Sequence, residues 1–276
     1  MAVHPDPTAA ACDATAAMLP RARGWAYGLI AETFRWPDSR VVQSLHDPAR
    51  WSDGPEVLPA AYPRTAAPLA RLRESILAVR SHRELEYDHI RLFGHTVRGL
   101  CPLYELEYGG GGEVIQQAAF LADIAGFYAA FGLEPAAGGQ ERQDHLSAEC
   151  EFMAVLAAQE AHAVQAGDAG GREVVRGAQA AFLAEHLGRW LPACTRRVRE
   201  ASPEGFYAAA AAFAACFLNA ECAALGVRVG AELMELRNAE PATEGDIRCG
   251  AEENCPGAEE DDLVQIRMDP ALGGGS

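Results

Sequence analysis

Asp144 and His145 stand together at the start of a predicted helix that continues through Glu149. His145 and Glu149 are one helical turn apart, so their side chains share a face at the edge of an apolar stripe. Free backbone N–H groups and the helix dipole favour a carboxylate in the first turn. The group indicates a binding or acid–base site. A helix-starting aspartate and a histidine hydrogen-bonded in the interior would explain the same spacing.

A second group of reactive side chains lies in the segment 94–112, which contains Tyr104, Glu105 and Tyr108 and ends in four glycines. The acidic helix before it carries Tyr87. Irregular segments held between helices often form binding surfaces. Carboxylates beside aromatic rings and an apolar groove suit a ligand with arginine side chains and an apolar segment, because guanidinium groups pair with carboxylates and stack on rings.

A metal site is the alternative interpretation of this region. Glu86 and His89 form a Glu-x-x-His pair on one helix, the spacing that carboxylate-bridged di-iron bundles use. Such a site needs a second copy and further glutamates, and the Glu185–His186 pair has the wrong spacing. A helical-bundle metalloprotein with Glu and His ligands is therefore the second hypothesis, and the first hypothesis predicts neither a metal nor a cofactor.

The composition disfavours several classes of function. The net charge is −16, and all 23 basic residues are arginines. An acidic chain repels phosphate backbones, so nucleic acid is not an expected partner. The lack of lysine excludes the P-loop lysine and Schiff-base chemistry, and the Gly-x-Ser-x-Gly, His-Glu-x-x-His and Gly-x-Gly-x-x-Gly motifs do not occur. We predict a binding protein with a cationic partner, and no enzymatic activity.

The elements that position these residues are predicted to be helices. Apolar residues recur at helical spacing, and no segment shows the sustained alternation of a strand. We therefore expect an all-α fold, a single globular helical bundle over residues 14–238, in which 227–236 is the last helix and 48–63 an irregular connection. Residues 1–13 are expected to be a flexible lead.

Residues 239–276 differ in character from the rest of the chain. They hold ten acidic residues and two arginines with few apolar side chains, so we expect a flexible acidic tail. The spacing of Cys249 and Cys255 suits neither a zinc knuckle nor a redox motif. The apolar run 206–218 is shorter than the ~20 residues of a membrane span. The N-terminus lacks the features of a secretion signal, so we expect a cytoplasmic protein without stable membrane insertion.

Four motifs in this order resemble the TorD/DmsD/NarJ family of redox-enzyme maturation chaperones. They are Glu86-Tyr87-x-x-Ile90-x-Leu92-Phe93, Pro102-x-Tyr104-Glu105-x-x-Tyr108, Asp144-His145-Leu146-x-x-Glu149-x-Glu151-Phe152-Met153 and Phe182-Leu183-x-x-His186-Leu187-x-x-Trp190-Leu191-Pro192. The resemblance covers roughly residues 25–235. It implies an all-helical cytoplasmic chaperone that binds the twin-arginine signal peptide and apoprotein of a molybdopterin oxidoreductase related to dimethyl sulfoxide reductase, and assists cofactor insertion before export.

The resemblance also implies roles for individual residues. Asp144 and His145 match the Asp-His pair associated with signal-peptide recognition, and Tyr104, Glu105 and Tyr108 match the Pro-Tyr-Glu loop. With Glu149 and Tyr87 they form the predicted client-binding site. The family implies a monomer or a helix-exchanged dimer. The Val-Arg-Gly-x-Cys-Pro form of residues 97–102 is similar to chaperones of haem-partnered molybdenum dehydrogenases and oxyanion reductases.

Overall fold

The computed structural model describes residues 16–52, 54–94, 99–109, 114–134 and 141–237. These residues form ten α-helices and no β-strand, which confirms the predicted all-α fold. All of them belong to one unit, Met1–Asn238. The predicted lead 1–13 and the acidic tail 239–276, with Cys249 and Cys255, lie outside the described residues and stay predictions.

The helices follow one another as α1 (Met18–Phe34), α2 (Ser39–His46), α3 (Gly54–Ala61), α4 (Ala66–Ala78), α5 (His82–Phe93), α6 (Val114–Ala130), α7 (Leu146–Gln165), α8 (Ala169–Glu185), α9 (Leu187–Ala201) and α10 (Phe206–Leu225). Helix α1 packs mainly on α7 and on α3, while α8 lies against α7 and α9. Helix α10 packs between α9 and α4.

A buried ion-pair network joins four of these helices at the centre. Arg23 of α1 donates from Nε to Oε1 of Glu221 in α10 at 2.7 Å and from Nη1 to Oε2 of Glu160 in α7 at 2.5 Å. Gln179 of α8 donates to Glu160, and the Tyr62 hydroxyl donates to Glu221. Burial lowers the pKa of Arg23, but the charge and hydrogen bond of Glu221, together with Tyr27 and Glu160, outweigh burial and raise that pKa.

Prolines in the segment 48–63 allow more regular structure than the sequence predicts. The segment contains α3 and the 3-10 turn Pro48–Trp51, and a further 3-10 turn, Pro63–Thr65, follows. Pro48 and Pro55 lie in first helical turns, where the missing N–H of proline would have had no partner, while Pro59 lies inside α3. The prediction of an irregular connection is therefore wrong for most of this segment.

The last predicted helix, 227–236, is wrong as well. Gly226 takes a left-handed conformation with φ +70° and ends α10, and the chain continues to Arg237 without a helix. Gly230 donates its N–H to the Gly188 carbonyl at 2.9 Å, and a Cβ at Gly230 would stand 2.0 Å from the Arg189 carbonyl oxygen. This close approach and the pairing of Leu236 with Tyr108 hold the segment in a non-helical conformation.

Helix α10 is twenty residues long and apolar, so it meets the length and composition of a membrane span, contrary to the prediction from the shorter run 206–218. More than half of its apolar window is buried within the fold. Phe213 and Phe217 are fully buried, and Phe217 packs edge-to-face on Tyr27 of α1. These contacts are those of the core helix of a globular domain.

Candidate functional site

The segment 99–109 and the start of α7 are joined by backbone hydrogen bonds. The Glu105 N–H donates to the Asp144 carbonyl at 2.9 Å, and the Leu146 N–H donates to the Leu103 carbonyl at 2.8 Å. Tyr104 and His145 thereby form a single antiparallel bridge. The fold thus brings together the two groups of residues that the sequence singles out.

Asp144 is fully buried and lies before the helix, not in its first turn as predicted. Arg142 donates to both of its carboxylate oxygens, at 2.8 Å and 2.7 Å. The Leu106 N–H also donates to Asp144 Oδ2, at 3.2 Å. The Asp144 carboxylate is therefore used to fasten the loop to the start of α7.

His145 caps α7 with its side chain. Its Nδ1 accepts the Ser147 N–H at 3.1 Å, and the ring lies edge-on to Tyr104 with the centroids 4.9 Å apart. Burial lowers the pKa of His145 to about 4, against a smaller opposing effect of the Asp144 charge. A neutral ring with Nδ1 as acceptor is what the cap requires, so His145 is a structural cap at neutral pH.

Glu149 and Glu105 are two buried carboxyl groups in the interior. Trp190 Nε1 donates to Glu149 Oε2 at 3.1 Å. Burial, followed by the charge of Glu105, raises the pKa of Glu149 well above its usual range. Glu105 lies 3.1 Å from His186 Nδ1 and accepts from Arg189 at 2.9 Å. The prediction that His145 and Glu149 lie at the edge of the apolar stripe is therefore wrong, because both side chains are buried.

The three predicted tyrosines lie in different surroundings. Tyr108 is buried, and its hydroxyl donates to the Pro102 carbonyl at 2.7 Å while its ring packs on Trp190. Tyr104 is partly exposed, and its hydroxyl donates to the Glu141 carboxylate. Tyr87 is 72% exposed on α5. Only Tyr104 and Tyr87 of the seven predicted residues are open to a large ligand.

We call the loop 99–109, the Asp144–Glu149 segment and Trp190 the buried frame. An open groove of about 750 Å³ lies beside it, between the α1–α2 connection, the end of α6 and the first half of α7. Its aromatic and apolar lining consists of Trp36, Val41, Tyr128, Leu133, Phe152 and Val155. Its charged lining consists of five carboxylates and two arginines, namely Glu32, Asp38, Glu134, Glu141, Glu151, Arg35 and Arg40. We call it the acidic groove.

Two ion pairs neutralise part of the charge in the acidic groove. Arg35 pairs with Glu151 across the groove, with both side chains about half exposed, and Glu32 pairs with Arg50. Glu141 accepts from Tyr104 and lies 3.9 Å from His145 Nε2, so it connects the groove to the predicted site. Sequence reasoning missed Glu141 and Trp36 as site residues. Glu151 stood within the third motif but was not chosen.

The Glu86–His89 pair is not among the groups arranged to hold a metal ion. His89 is buried against Trp36, Phe93 and Tyr207, and burial lowers its pKa to about 4. Among the residues that the structure describes, one three-residue group has the spacing for a metal ion, and it consists of Asp123, Glu185 and His186.

Comparison with known proteins agrees with the motif resemblance. A perchlorate reductase assembly chaperone protein from Dechloromonas aromatica (strain RCB) is 34% identical over 112 residues, which cover 40% of this chain and 49% of the relative. A selenate reductase assembly chaperone protein from Thauera selenatis is 33% identical over 119 residues, which cover 43% and 59%. The chain thus spans about half the length of these relatives. No solved structure matches it significantly.

The family described as nitrate reductase delta subunit matches residues 58–196, half of the chain. The matched range includes the whole loop 99–109, the Asp144–Glu149 segment and Trp190, which form the buried frame described above. It confirms the resemblance that the four motifs indicate. The chain therefore belongs to the nitrate reductase delta subunit family.

Proposed function

We propose that this protein is an assembly chaperone for a molybdenum-containing oxyanion reductase and that it has no catalytic activity of its own. The observation that carries the proposal is the family match together with two relatives named as perchlorate and selenate reductase assembly chaperones. Perchlorate and selenate are oxyanions, in agreement with the client class that the form of residues 97–102 suggests. The protein would act in the cytoplasm, before the client is exported.

We further propose that the acidic groove holds the twin-arginine signal peptide of the client. Such a peptide offers two guanidinium groups followed by an apolar stretch. The groove provides carboxylates, including Glu141 and Glu151, beside the aromatic ring of Trp36, which is one-third exposed. Guanidinium groups bind carboxylates in bidentate fashion and stack on aromatic faces. The carboxylates and the aromatic lining of the groove therefore suit this occupant.

Arg35 would compete with the peptide for the Glu151 carboxylate. It occupies the Glu151 carboxylate in the free protein, and an incoming guanidinium group would displace it. Exposed ion pairs of this kind contribute only about 0–1 kcal/mol, so the exchange costs little. The empty groove therefore need not present an unpaired Glu151 to solvent.

Asp144, His145 and Glu149 act in this proposal as positioning residues. They are buried and hydrogen-bonded within the protein, so contact with a peptide would require the loop to open. Asp144 holds Arg142, whose guanidinium group lies 4.8 Å from the centre of the Tyr104 ring. Tyr104 in turn holds Glu141 at the groove. Asp144 and Arg142 thus help to hold Tyr104 and Glu141 in position at the groove.

A peptide titration tests the proposal. A labelled peptide with two arginines and a following apolar segment is compared, at low salt, with the same peptide carrying two lysines. The arginine peptide should bind at least about tenfold more tightly, because lysine keeps the charge but loses the bidentate pairing, a difference of about 1.4 kcal/mol. Absence of binding, or equal binding of the two peptides, would contradict the proposed site.

A further inference from the structure

His186 stands at the junction between α8, which ends at Glu185, and α9, which begins at Leu187. It is 1% exposed. Its ring is surrounded by Phe120, Phe127 and Phe182, with ring centroids 5.0–5.4 Å away. The imidazole is therefore held in an apolar wall, and its orientation is fixed by packing.

One ring nitrogen of His186 is held from the inside. Nδ1 lies 3.1 Å from Glu105 Oε2, and Arg189 donates to the other oxygen of the same carboxylate at 2.9 Å. A carboxylate accepts and cannot donate when it is ionised, so Nδ1 carries the proton. This arrangement is the one that carboxylate partners impose on metal-binding histidines, and it leaves Nε2 free to coordinate.

The other nitrogen, Nε2, is buried and has no hydrogen-bond partner among the described residues. It faces two carboxylates near the surface. Asp123 Oδ2 of α6 lies 3.4 Å from it, and the ligand atoms of Asp123, Glu185 and His186 all lie within 4.8 Å of one another. Two ligand atoms in a tetrahedral zinc site with bonds of about 2.0 Å are about 3.3 Å apart.

From this geometry we propose that Asp123, Glu185 and His186 form a binding site for a divalent transition-metal ion, with zinc as the expected ion. One imidazole and two carboxylates are ligands that zinc accepts, and the histidine disfavours calcium and magnesium, which prefer oxygen. Both carboxylates are exposed, so a small rotation of their side chains completes the triad. The fourth position faces solvent and takes water or a ligand from a partner.

The site would connect three parts of the fold. Asp123 lies on α6, Glu185 ends α8, and His186 reaches Glu105 of the loop that bridges to α7. A bound ion would tie α6 to this frame. The inference does not depend on the proposed chaperone function, because it rests on the unpartnered nitrogen and the two facing carboxylates alone. A simple ion pair of His186 with Asp123, without a metal, is the competing explanation.

Metal titration of the full chain tests the proposal. The chain carries Cys12, Cys249 and Cys255 outside the described residues, so all measurements use a background in which these three are serine. The metal-free protein is titrated with Co²⁺ alone, whose visible spectrum reports coordination number and thiolate ligation, and Zn²⁺ is then added in competition. One Co²⁺ should bind in a four- or five-coordinate site without thiolate absorption, and Zn²⁺ should displace it.

Three variants locate the site. Asp123→Asn and Glu185→Gln, at exposed positions, should each weaken Co²⁺ binding at least about tenfold, the size that loss of a supporting group already produces at metal sites. Glu173→Gln, an exposed position on α8, is the matched control and should bind as the parent does. Circular dichroism checks that each variant is folded. Absence of a bound ion, or equal affinity in all three variants, would overturn the proposal and leave the ion pair.

Discussion

Trp190 donates its indole N–H to Glu149 Oε2 at 3.1 Å, at a point where neither side chain is exposed. The other oxygen of Glu149 has no hydrogen-bond partner among the described residues. An ionised Glu149 would leave that oxygen charged and unsolvated beside the Glu105 carboxylate, which is why the pKa of Glu149 is raised. The neutral form of Glu149 is therefore the one that fits the fold.

Replacing Glu149 by glutamine should stabilise the protein at alkaline pH. A raised pKa in the folded state means that the carboxyl contributes stability at low pH and that this stability is lost as pH rises above about 4.5. Glutamine mimics the neutral form and still accepts from Trp190. We expect Glu149→Gln to exceed the parent at pH 8 by about 1 kcal/mol or more, measured by urea unfolding, with a smaller gain at pH 5.

The matched control is Glu173→Gln, which should leave stability unchanged at both pH values because Glu173 is exposed on α8. A Glu149→Gln variant that is less stable than the parent at pH 8 would contradict a neutral Glu149.

Removing the central arginine should be among the most destabilising single changes. Arg23→Met leaves Glu160 and Glu221 without their shared partner, and both carboxylates are buried. Breaking a buried pair by deleting one member costs about 3–5 kcal/mol. Arg71→Met, at an exposed position of α4, is the control and should change the free energy of unfolding by less than about 0.5 kcal/mol. Similar stability of the two variants would refute a structural role for the network.

His89 should make the fold sensitive to acid. Its folded-state pKa of about 4 lies below the ordinary value of 6.5, so the unfolded chain binds the proton first. Stability is therefore complete above pH 6.5 and is lost as pH falls towards 4, by about 2 kcal/mol at pH 5. The charged or titratable groups that influence His89 are His145 and Glu141. His145 has a similar pKa and adds a similar loss.

The variant His89→Phe keeps an aromatic ring against Trp36 and Phe93 but cannot bind a proton. We expect the stability that is lost between pH 8 and pH 5 to be about 2 kcal/mol smaller for this variant than for the parent, in matched urea titrations. An unchanged pH dependence would show that His89 is protonated as easily in the folded protein as in the unfolded chain.

Asp144→Asn should mainly lower the stability of the fold and have a smaller effect on peptide affinity. The change removes the charge that Arg142 pairs with and one acceptor of the loop, which together should cost about 1–3 kcal/mol. Thermal unfolding measures this loss. Because Asp144 acts on the groove only through Arg142 and Tyr104, the folded variant should lose less than about tenfold in peptide affinity, measured at a temperature where it is fully folded. A larger loss in the fully folded variant would instead indicate direct contact between Asp144 and the peptide.

The sequence predicts the helical class and the pairing of the loop with the α7 segment, because apolar periodicity and motif order are local properties of the chain. The sequence does not predict which of the candidate site residues are buried. Asp144 and Glu149 resemble surface ligands in sequence, and only the partners Arg142 and Trp190, the latter 41 residues away, make their burial tolerable. Arg142 is only two residues from Asp144, whereas Trp190 is brought to Glu149 by tertiary packing.

The wrong assignment of a helix to 227–236 and the overlooked cluster around His186 have the same origin. Helical spacing in 227–236 is overridden by the contact of Gly230 with the backbone of Arg189, which no local pattern encodes. His186 appears in the fourth motif, but its neighbours in space, Asp123 and Glu105, come from distant segments. Spacing along the chain therefore cannot reveal a cluster that is built from three separate elements.

The central claim is that exposed carboxylates of the acidic groove, and not the buried Asp144–His145 pair, contact the client peptide. The direct measurement is the affinity of a twin-arginine peptide for the Glu141→Gln, Glu151→Gln double variant, beside the control Glu74→Gln on α4. Each charge-assisted hydrogen bond contributes about 1.5–3 kcal/mol, so the double variant should bind at least about tenfold more weakly with unchanged stability. Parent-like affinity in the folded double variant would contradict the account.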